Sequence, residues 1–256
     1  MGRRMFDLSL DIVLLLTLAG FVAGFIDSIA GGGGLITLPA LMLAGVPPAQ
    51  ALATNKVQGV FGAATAAASY AARGLVDLRS QWRPAVIAGL GGIAGAALVS
   101  HLPTEALRWA LPVLLIGIAI FFAVKPGLDD LDRHRRVSPV MFAATAVPLI
   151  GFYDGLIGPG AGSFYMIAFV TLAGYGVLKA TAHTKLLNLA SNLGGLLTFA
   201  LVGQPLWLLG VIMGAAQIAG AALGARMAAR IGARLIKPLL VATSTLLALR
   251  LIWQMI

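Results

Sequence analysis

Apolar residues run through this chain in long blocks, and the few polar positions inside the blocks recur at matching places in its two halves. Read by block length, and by breaks at Gly, Pro and charge clusters, the pattern predicts ten helical segments. They fall at about 10–30, 35–45, 48–72, 83–101 and 106–125, then at about 138–157, 161–175, 177–202, 206–226 and 235–254. A helix needs ~20 apolar residues to cross a ~30 Å hydrocarbon core. The segments at 35–45 and 161–175 are shorter, and read as half-helices or re-entrant pieces.

The correspondence between the halves extends to individual residues. Gly24-Phe25-Ile26-Asp27 followed by Gly31-Gly32-Gly33-Gly34 returns as Gly151-Phe152-Tyr153-Asp154 followed by Gly158-Pro159-Gly160-Ala161-Gly162-Ser163. Thr54-Asn55-Lys56 returns as His183-Thr184-Lys185, and Ile93-Ala94-Gly95-Ala96-Ala97-Leu98 as Ile218-Ala219-Gly220-Ala221-Ala222-Leu223. Pro112 has its counterpart in Pro238. The fold class is therefore an all-α polytopic membrane protein of two homologous helical repeats, each with a glycine-broken short helix. Residues 9–125 form the first repeat, 126–137 a cytoplasmic linker and 138–254 the second repeat.

Composition agrees. The chain is 59% hydrophobic and 11% charged, with a mean hydropathy of +0.95. Without cysteine there is no disulfide, thiolate catalysis or Cys-ligated metal, and three histidines without HExxH form no zinc motif. No metal or cofactor is expected. The apolar N-terminal run resembles a signal peptide, but it leads into Asp27 and the glycine cluster and has an equivalent before Asp154, so cleavage is not expected.

The net charge of +9 sits mostly in short loops, which argues for membrane topology and against nucleic acid. The 73–83 loop carries Arg73, Arg79 and Arg83, whereas its counterpart at 203–207 has no basic residue. The 101–108 loop is nearly neutral, whereas 226–237 carries Arg226, Arg230, Arg234 and Lys237. The bias changes sides, so the repeats are expected to be inverted. Inversion needs an odd number of crossings per repeat, which counts the short segment as one, and it leaves Arg3 and Arg4 outside; four crossings per repeat would put the N-terminus inside but leave the basic 226–237 loop outside. The charge-dense linker, from Lys125 to Arg136, reads as a solvated hinge.

The chemistry is concentrated where charge enters apolar sequence. A helix starting after a glycine break presents free N–H groups and a positive dipole end, which suits an anion. Gly32, Gly33 and Gly34, and Gly160, Ala161, Gly162 and Ser163, are the candidate backbone sites; a simple packing kink is the alternative. Lys56 lies ~12 Å down its helix from Pro48, and Lys185 is comparably deep. Thr181, Lys185, Asn188, Asn192 and Gly195 share one helix face, which would line an oxyanion site; Asn55 flanks Lys56. Alternatively the lysines form structural pairs with acids. Asp27 and Asp154 could neutralise the lysines when no anion is bound, carry a coupling proton, or cap the helix after each break. His183 is a candidate proton relay or a satisfied interface histidine. Spacings such as Gly91-xxx-Gly95, Gly210-xxx-Gly214 and Gly220-xxx-Gly224 read as close helix packing.

At Gly31-Gly32-Gly33-Gly34-Leu35-Ile36-Thr37-Leu38-Pro39, Ala53-Thr54-Asn55-Lys56, Gly155 to Gly162 and Ala182-His183-Thr184-Lys185, the chain resembles the TauE/SafE family of membrane transporters. The resemblance covers residues 9–254. It implies secondary transport of a small anion, such as sulfite, an organosulfonate like sulfoacetate, or a similar organic anion, across the bacterial inner membrane. The expected partners are that anion, a coupling proton or sodium ion, the lipid bilayer and a second copy of the chain. A passive anion channel is one alternative. An intramembrane aspartyl protease using Asp27 and Asp154 is a remote one, because GxGD is absent.

Overall fold

A computed structural model of the protein describes residues 8–103, 131–232 and 234. The predicted helices at 106–125 and 235–254 lie outside the described residues. Within them there are nine helices and no strand. The helices are α1 (Leu10–Ala30), α2 (Gly34–Leu43), α3 (Pro48–Ala71), α4 (Leu78–Ser100), α5 (Pro139–Ala144), α6 (Ala146–Leu156), α7 (Ala161–Thr171), α8 (Val177–Val202) and α9 (Trp207–Ile231). Among the described residues, α1, α4, the α5–α6 unit, α8 and α9 supply five segments long and apolar enough to cross a membrane. α3 is as long but more polar, and it is buried without interruption from Ala51 to Gln58.

Three boundaries differ from the sequence reading, each for a local reason. α4 begins at Leu78 and not at 83, because Asp77 caps it by accepting the Arg79 N–H at 2.9 Å. The predicted helix at 138–157 breaks at Thr145 (φ −119°, ψ −73°). Pro148 has no N–H for the Ala144 carbonyl and its ring crowds that turn, so the helix cannot run through. α9 continues to Ile231, so Arg226 and Arg230 ride on its last turns and not in a loop. Gly232, at φ 65°, ends it in a conformation that suits glycine.

The small residues set how the helices pair. A Cβ on Gly20 would meet Met213, one on Gly24 would meet Gln217, and one on Gly220 would meet Phe21 and Phe25, so α1 and α9 run side by side in one direction. α3 runs the same way on another side of α9, with Gly210 against Val57 and Gly214 against Phe61. α4 and α6 also run together, with Gly91 against Pro148 and Gly95 against Phe152 and Leu156. α8 packs on both α4 and α3. It opposes α3: Gly195 faces Lys56 while Gly59 faces Asn192. Since α3 and α4 are joined by a tight turn and run oppositely, α1 and the α5–α6 unit enter the bundle from opposite ends.

The short helices fold back. Gln50 near the start of α3 donates to the Gln204 carbonyl at 2.9 Å, just before α9 begins. α2 thus returns the chain to the end from which α1 came. α7 does the same along α5–α6: Tyr165 donates to the Val147 carbonyl at 3.3 Å, and the Phe142 and Phe169 rings lie 4.8 Å apart. The chain thus reverses direction at each short segment. The glycine break lets each helix turn on itself, and the half-helix leaves by the end through which its partner entered.

Candidate functional site

The two breaks meet tip to tip. A Cβ on Gly162 would lie 3.2 Å from Gly31 Cα, and the Ser163 hydroxyl donates to the Ala30 carbonyl at 2.8 Å. Gly31 (φ 80°) and Gly158 (φ 95°) adopt left-handed backbone that a Cβ would strain. At Gly158 that Cβ would also sit 2.9 Å from Lys56 Nζ. Glycine is therefore required there for both conformation and space.

Around the joined tips lies a cavity of about 30 Å³, above the ~10–15 Å³ that one water needs. The backbone candidates Gly32, Gly33, Gly34, Gly160, Ala161 and Gly162 line it, and so do Asn55, Asn188 and Asn192. Asp27 and Asp154 face it too. The first turns of α2 and α7 thus both open onto one space; the Leu35, Ile36 and Ala161 N–H groups bond to the Gly32, Gly33 and Gly158 carbonyls, which leaves Gly34 and Gly162 to face it. Ser163 is the exception among the break residues, since its hydroxyl ties the two tips together.

The lysines do not line the cavity as expected. They are buried, at 1% (Lys56) and 0% (Lys185) exposure, and each ammonium is held by the acid of the other half. Lys56 Nζ donates to Asp154 Oδ1 at 2.5 Å and to the Asp154 carbonyl, and lies 3.4 Å from Asn192 Oδ1. Asp154 Oδ2 in turn accepts from Asn188 Nδ2 (3.0 Å), Asn192 Nδ2 (3.1 Å) and the Ser191 hydroxyl. That carboxylate is saturated. A buried charge is tolerated when it is both paired and hydrogen-bonded in this way.

The second pair is looser. Lys185 Nζ donates to the Asp27 carbonyl and lies 3.3 Å from Asp27 Oδ2. Asp27 Oδ1 accepts the Gly33 N–H at 3.1 Å, so this acid also caps the turn into α2. Its side chain keeps 18% exposure against 2% for Asp154. The symmetric sequence motif thus carries one locked and one open ion pair.

His183 is not among the cavity-lining residues. Its Nδ1 donates to the Lys179 carbonyl at 2.9 Å, and its ring packs edge-on against Tyr175 and Phe169. The sequence alone assigns no role to Gln217, Ser191, Gln58 or Thr37. Gln217 lines the cavity and donates to Gln58 Oε1 at 3.1 Å. Gln58 donates to Asn55 Oδ1 at 3.0 Å, and the Thr37 hydroxyl donates to the same oxygen at 2.6 Å. A lone glutamine in the apolar 206–226 stretch was the available signal for Gln217.

Comparison with known proteins bears on the same span. The family model described as sulfite exporter TauE/SafE matches residues 16–251. The chain is 53% identical over 246 residues to "Probable membrane transporter protein ORF9" of Sinorhizobium sp, covering 96% of this chain and 94% of the relative. It is 45% identical over 240 residues to "Probable membrane transporter protein YfcA" of Escherichia coli K12, covering 94% and 89%. It is 42% identical over 248 residues to a "Probable membrane transporter protein" of Haemophilus influenzae, covering 97% of each. No solved structure matches the chain.

Proposed function

Given that the chain belongs to the TauE/SafE sulfite exporter family and is a multi-pass membrane transporter, we propose that it is a secondary transporter of a small anion, working by alternating access in the inner membrane. Sulfite, an organosulfonate such as sulfoacetate, or a similar organic anion is the substrate class. The family is one of transporters and not enzymes, and Asp27 and Asp154 are each engaged by a separate lysine and do not share a proton, which argues against the protease.

One observation carries the reading: a loosely held ion pair, Lys185–Asp27, whose acid faces a cavity built from two opposed helix N-termini. An incoming anion is stabilised by both N-termini and by the amide hydrogens of Asn55 and Asn188 that Asp154 does not take. It displaces Asp27 from Lys185 and takes the ammonium. Asp27, released, binds the coupling proton. Lys56–Asp154 stays closed as a staple.

Two further observations support inverted repeats. α1 and α5–α6 enter from opposite ends. The end where α4 begins and α9 finishes carries Arg73, Arg79, Arg83, Arg133, Arg135, Arg136, Lys179, Arg226 and Arg230, whereas the 44–47, 101–103 and 203–206 segments at the other end hold no Lys or Arg. By the positive-inside rule the basic end is cytoplasmic. Rocking one half against the other around the joined tips would expose the cavity to each side in turn.

The test is Lys185→Ala in purified protein and in vesicles. Losing a charge-assisted contact of ~1.5–3 kcal/mol weakens anion binding about tenfold to a hundredfold. Wild-type vesicles should accumulate sulfite or sulfoacetate uphill when an ion gradient is imposed. Unchanged affinity in the variant defeats the assigned role of Lys185, and strictly downhill flux defeats coupling.

A further inference from the structure

The basic end of the bundle holds a second cavity, of about 210 Å³, between the first turns of α4, the linker, α5 and the corner between α7 and α8. It shares no lining residue with the central site. One wall is aromatic: the rings of Phe169 and Tyr175 stack 5.5 Å apart, and Phe142 lies against Phe169. The other side is polar. Gln81 lines the cavity, is only 7% exposed, and its Oε1 has no hydrogen-bond donor. A buried amide oxygen without a donor is costly, so a hydrogen-bond donor placed in the cavity would be favoured there. Arg135 is exposed at the cavity's edge and takes part in none of the ion pairs among the described residues. The nearby acid Asp132 is already taken: it pairs with Lys179 at 2.7 Å and accepts the Gly176 N–H at 2.7 Å.

The rim is fixed in place. The Arg133 N–H donates to the Gly174 carbonyl at 2.7 Å, and the Arg136 N–H to the Leu172 carbonyl at 2.9 Å, on either side of Arg135. The cavity therefore offers an unpaired guanidinium, an unfilled acceptor and an aromatic wall on a pinned frame.

We propose that this cavity is a binding site for an amphipathic organic anion whose acid head also carries a hydrogen-bond donor. The acid pairs with Arg135, the donor satisfies Gln81 Oε1, and the apolar body lies along Phe169, Tyr175 and Phe142. Two sources carry this chemistry: an anionic lipid with a hydroxylated head, and a free aromatic 2-hydroxy acid. Either would grip the α7–α8 corner, whose helices reach the central site at the N-terminus of α7 and at Lys185.

The experiment has two arms. Native mass spectrometry of the full chain compares retention of phosphatidylglycerol with that of phosphatidylcholine of the same acyl chains, whose head is zwitterionic and has no donor. Calorimetry measures binding of 3-phenyllactate, whose head carries both a carboxylate and a hydroxyl. Each is repeated on Arg135→Ala, Gln81→Leu and the near-isosteric Gln81→Glu, with central-site anion binding as the control for folding. The expected result is selective binding of one probe, reduced tenfold or more in each variant, with the central site unchanged. Phosphatidylglycerol alone assigns the lipid source, and the free acid alone the soluble one. Binding of neither probe, equal retention of the two lipids without binding of the free acid, or binding that survives the substitutions overturns the proposal.

Discussion

Neutralising the two acids one at a time should separate the staple from the binding pair. In Asp154→Asn, the Lys56 ammonium loses its carboxylate in a site that is 1% exposed. It keeps the residue's main-chain carbonyl and the distant Asn192 oxygen. An amide also presents hydrogens where Asn188, Asn192 and Ser191 now donate. Breaking a buried pair from one side costs ~3–5 kcal/mol, so this variant should unfold at markedly lower temperature or denaturant. In Asp27→Asn the partner is looser and the side chain reaches the cavity, so the loss should fall well below that. Binding should respond in the opposite sense. An anion at Lys185 sits close to the Asp27 carboxylate. At about 5 Å and an effective dielectric of about 20, two like charges repel by ~3 kcal/mol. Removing that charge should tighten anion binding by at least tenfold, with ~3 kcal/mol as the ceiling. It should also flatten the dependence of binding on pH, because wild-type binding that includes proton uptake strengthens as pH falls. The assays are thermal unfolding in detergent and titration calorimetry from pH 5 to 8. Equal destabilisation by the two substitutions, or a tenfold loss of affinity in Asp27→Asn, refutes the division of labour.

Other expectations are simpler to state. In a chain without cysteine, Ser80→Cys and Arg230→Cys should label from the cytoplasmic face and Gln204→Cys from the opposite face; labelling of the first two from opposite faces refutes inversion. Gly155→Val drives a side chain into the Gly92 backbone of α4, so stability should drop by at least the ~1–3 kcal/mol typical of overpacking; a wild-type melting temperature counts against that contact. The Asp132 carboxyl is held below the usual aspartate range, first by the Gly176 N–H and then by Lys179. A lowered pKa in the folded protein means that this stabilisation is present at neutral pH and lost as pH falls through and below ~4. The protection of the Gly176 N–H from hydrogen exchange, corrected for the intrinsic pH dependence, should fall there in wild type, and Asp132→Asn should lack it already at neutral pH.

Much of this arrangement was legible in the sequence because a charge in apolar sequence is a one-dimensional signal. Asp27, Lys56, Asp154 and Lys185 stood out for that reason, and the glycine runs marked where helices had to end. What the order of residues does not encode is which acid meets which lysine. That pairing depends on α1 lying along α9 and α4 along α6, a tertiary outcome set by glycines that read only as packing spacers. The difference between the pairs was hidden for a similar reason: Ser191 is an unremarkable helical serine until it donates to Asp154. Gln217 was passed over because its neighbours are small and apolar. The kink at Thr145 follows from Pro148, but hydropathy alone treats the segment as continuous.

The crossed ion pairs also bear on how the chain is made. Residues emerge from the ribosome in order, so Lys56 enters the membrane about a hundred residues before Asp154 is synthesised. A lysine at the centre of a membrane helix costs ~2.5–3.5 kcal/mol on insertion scales. Until the second half arrives, Lys56 and Asp27 both lack the partners that hold them in the folded protein, so the first half should be a poor membrane resident. Expressed alone, either half should be a target for membrane proteases. Expressed together as separate polypeptides, they should rescue one another, because each ion pair joins an acid of one half to a lysine of the other.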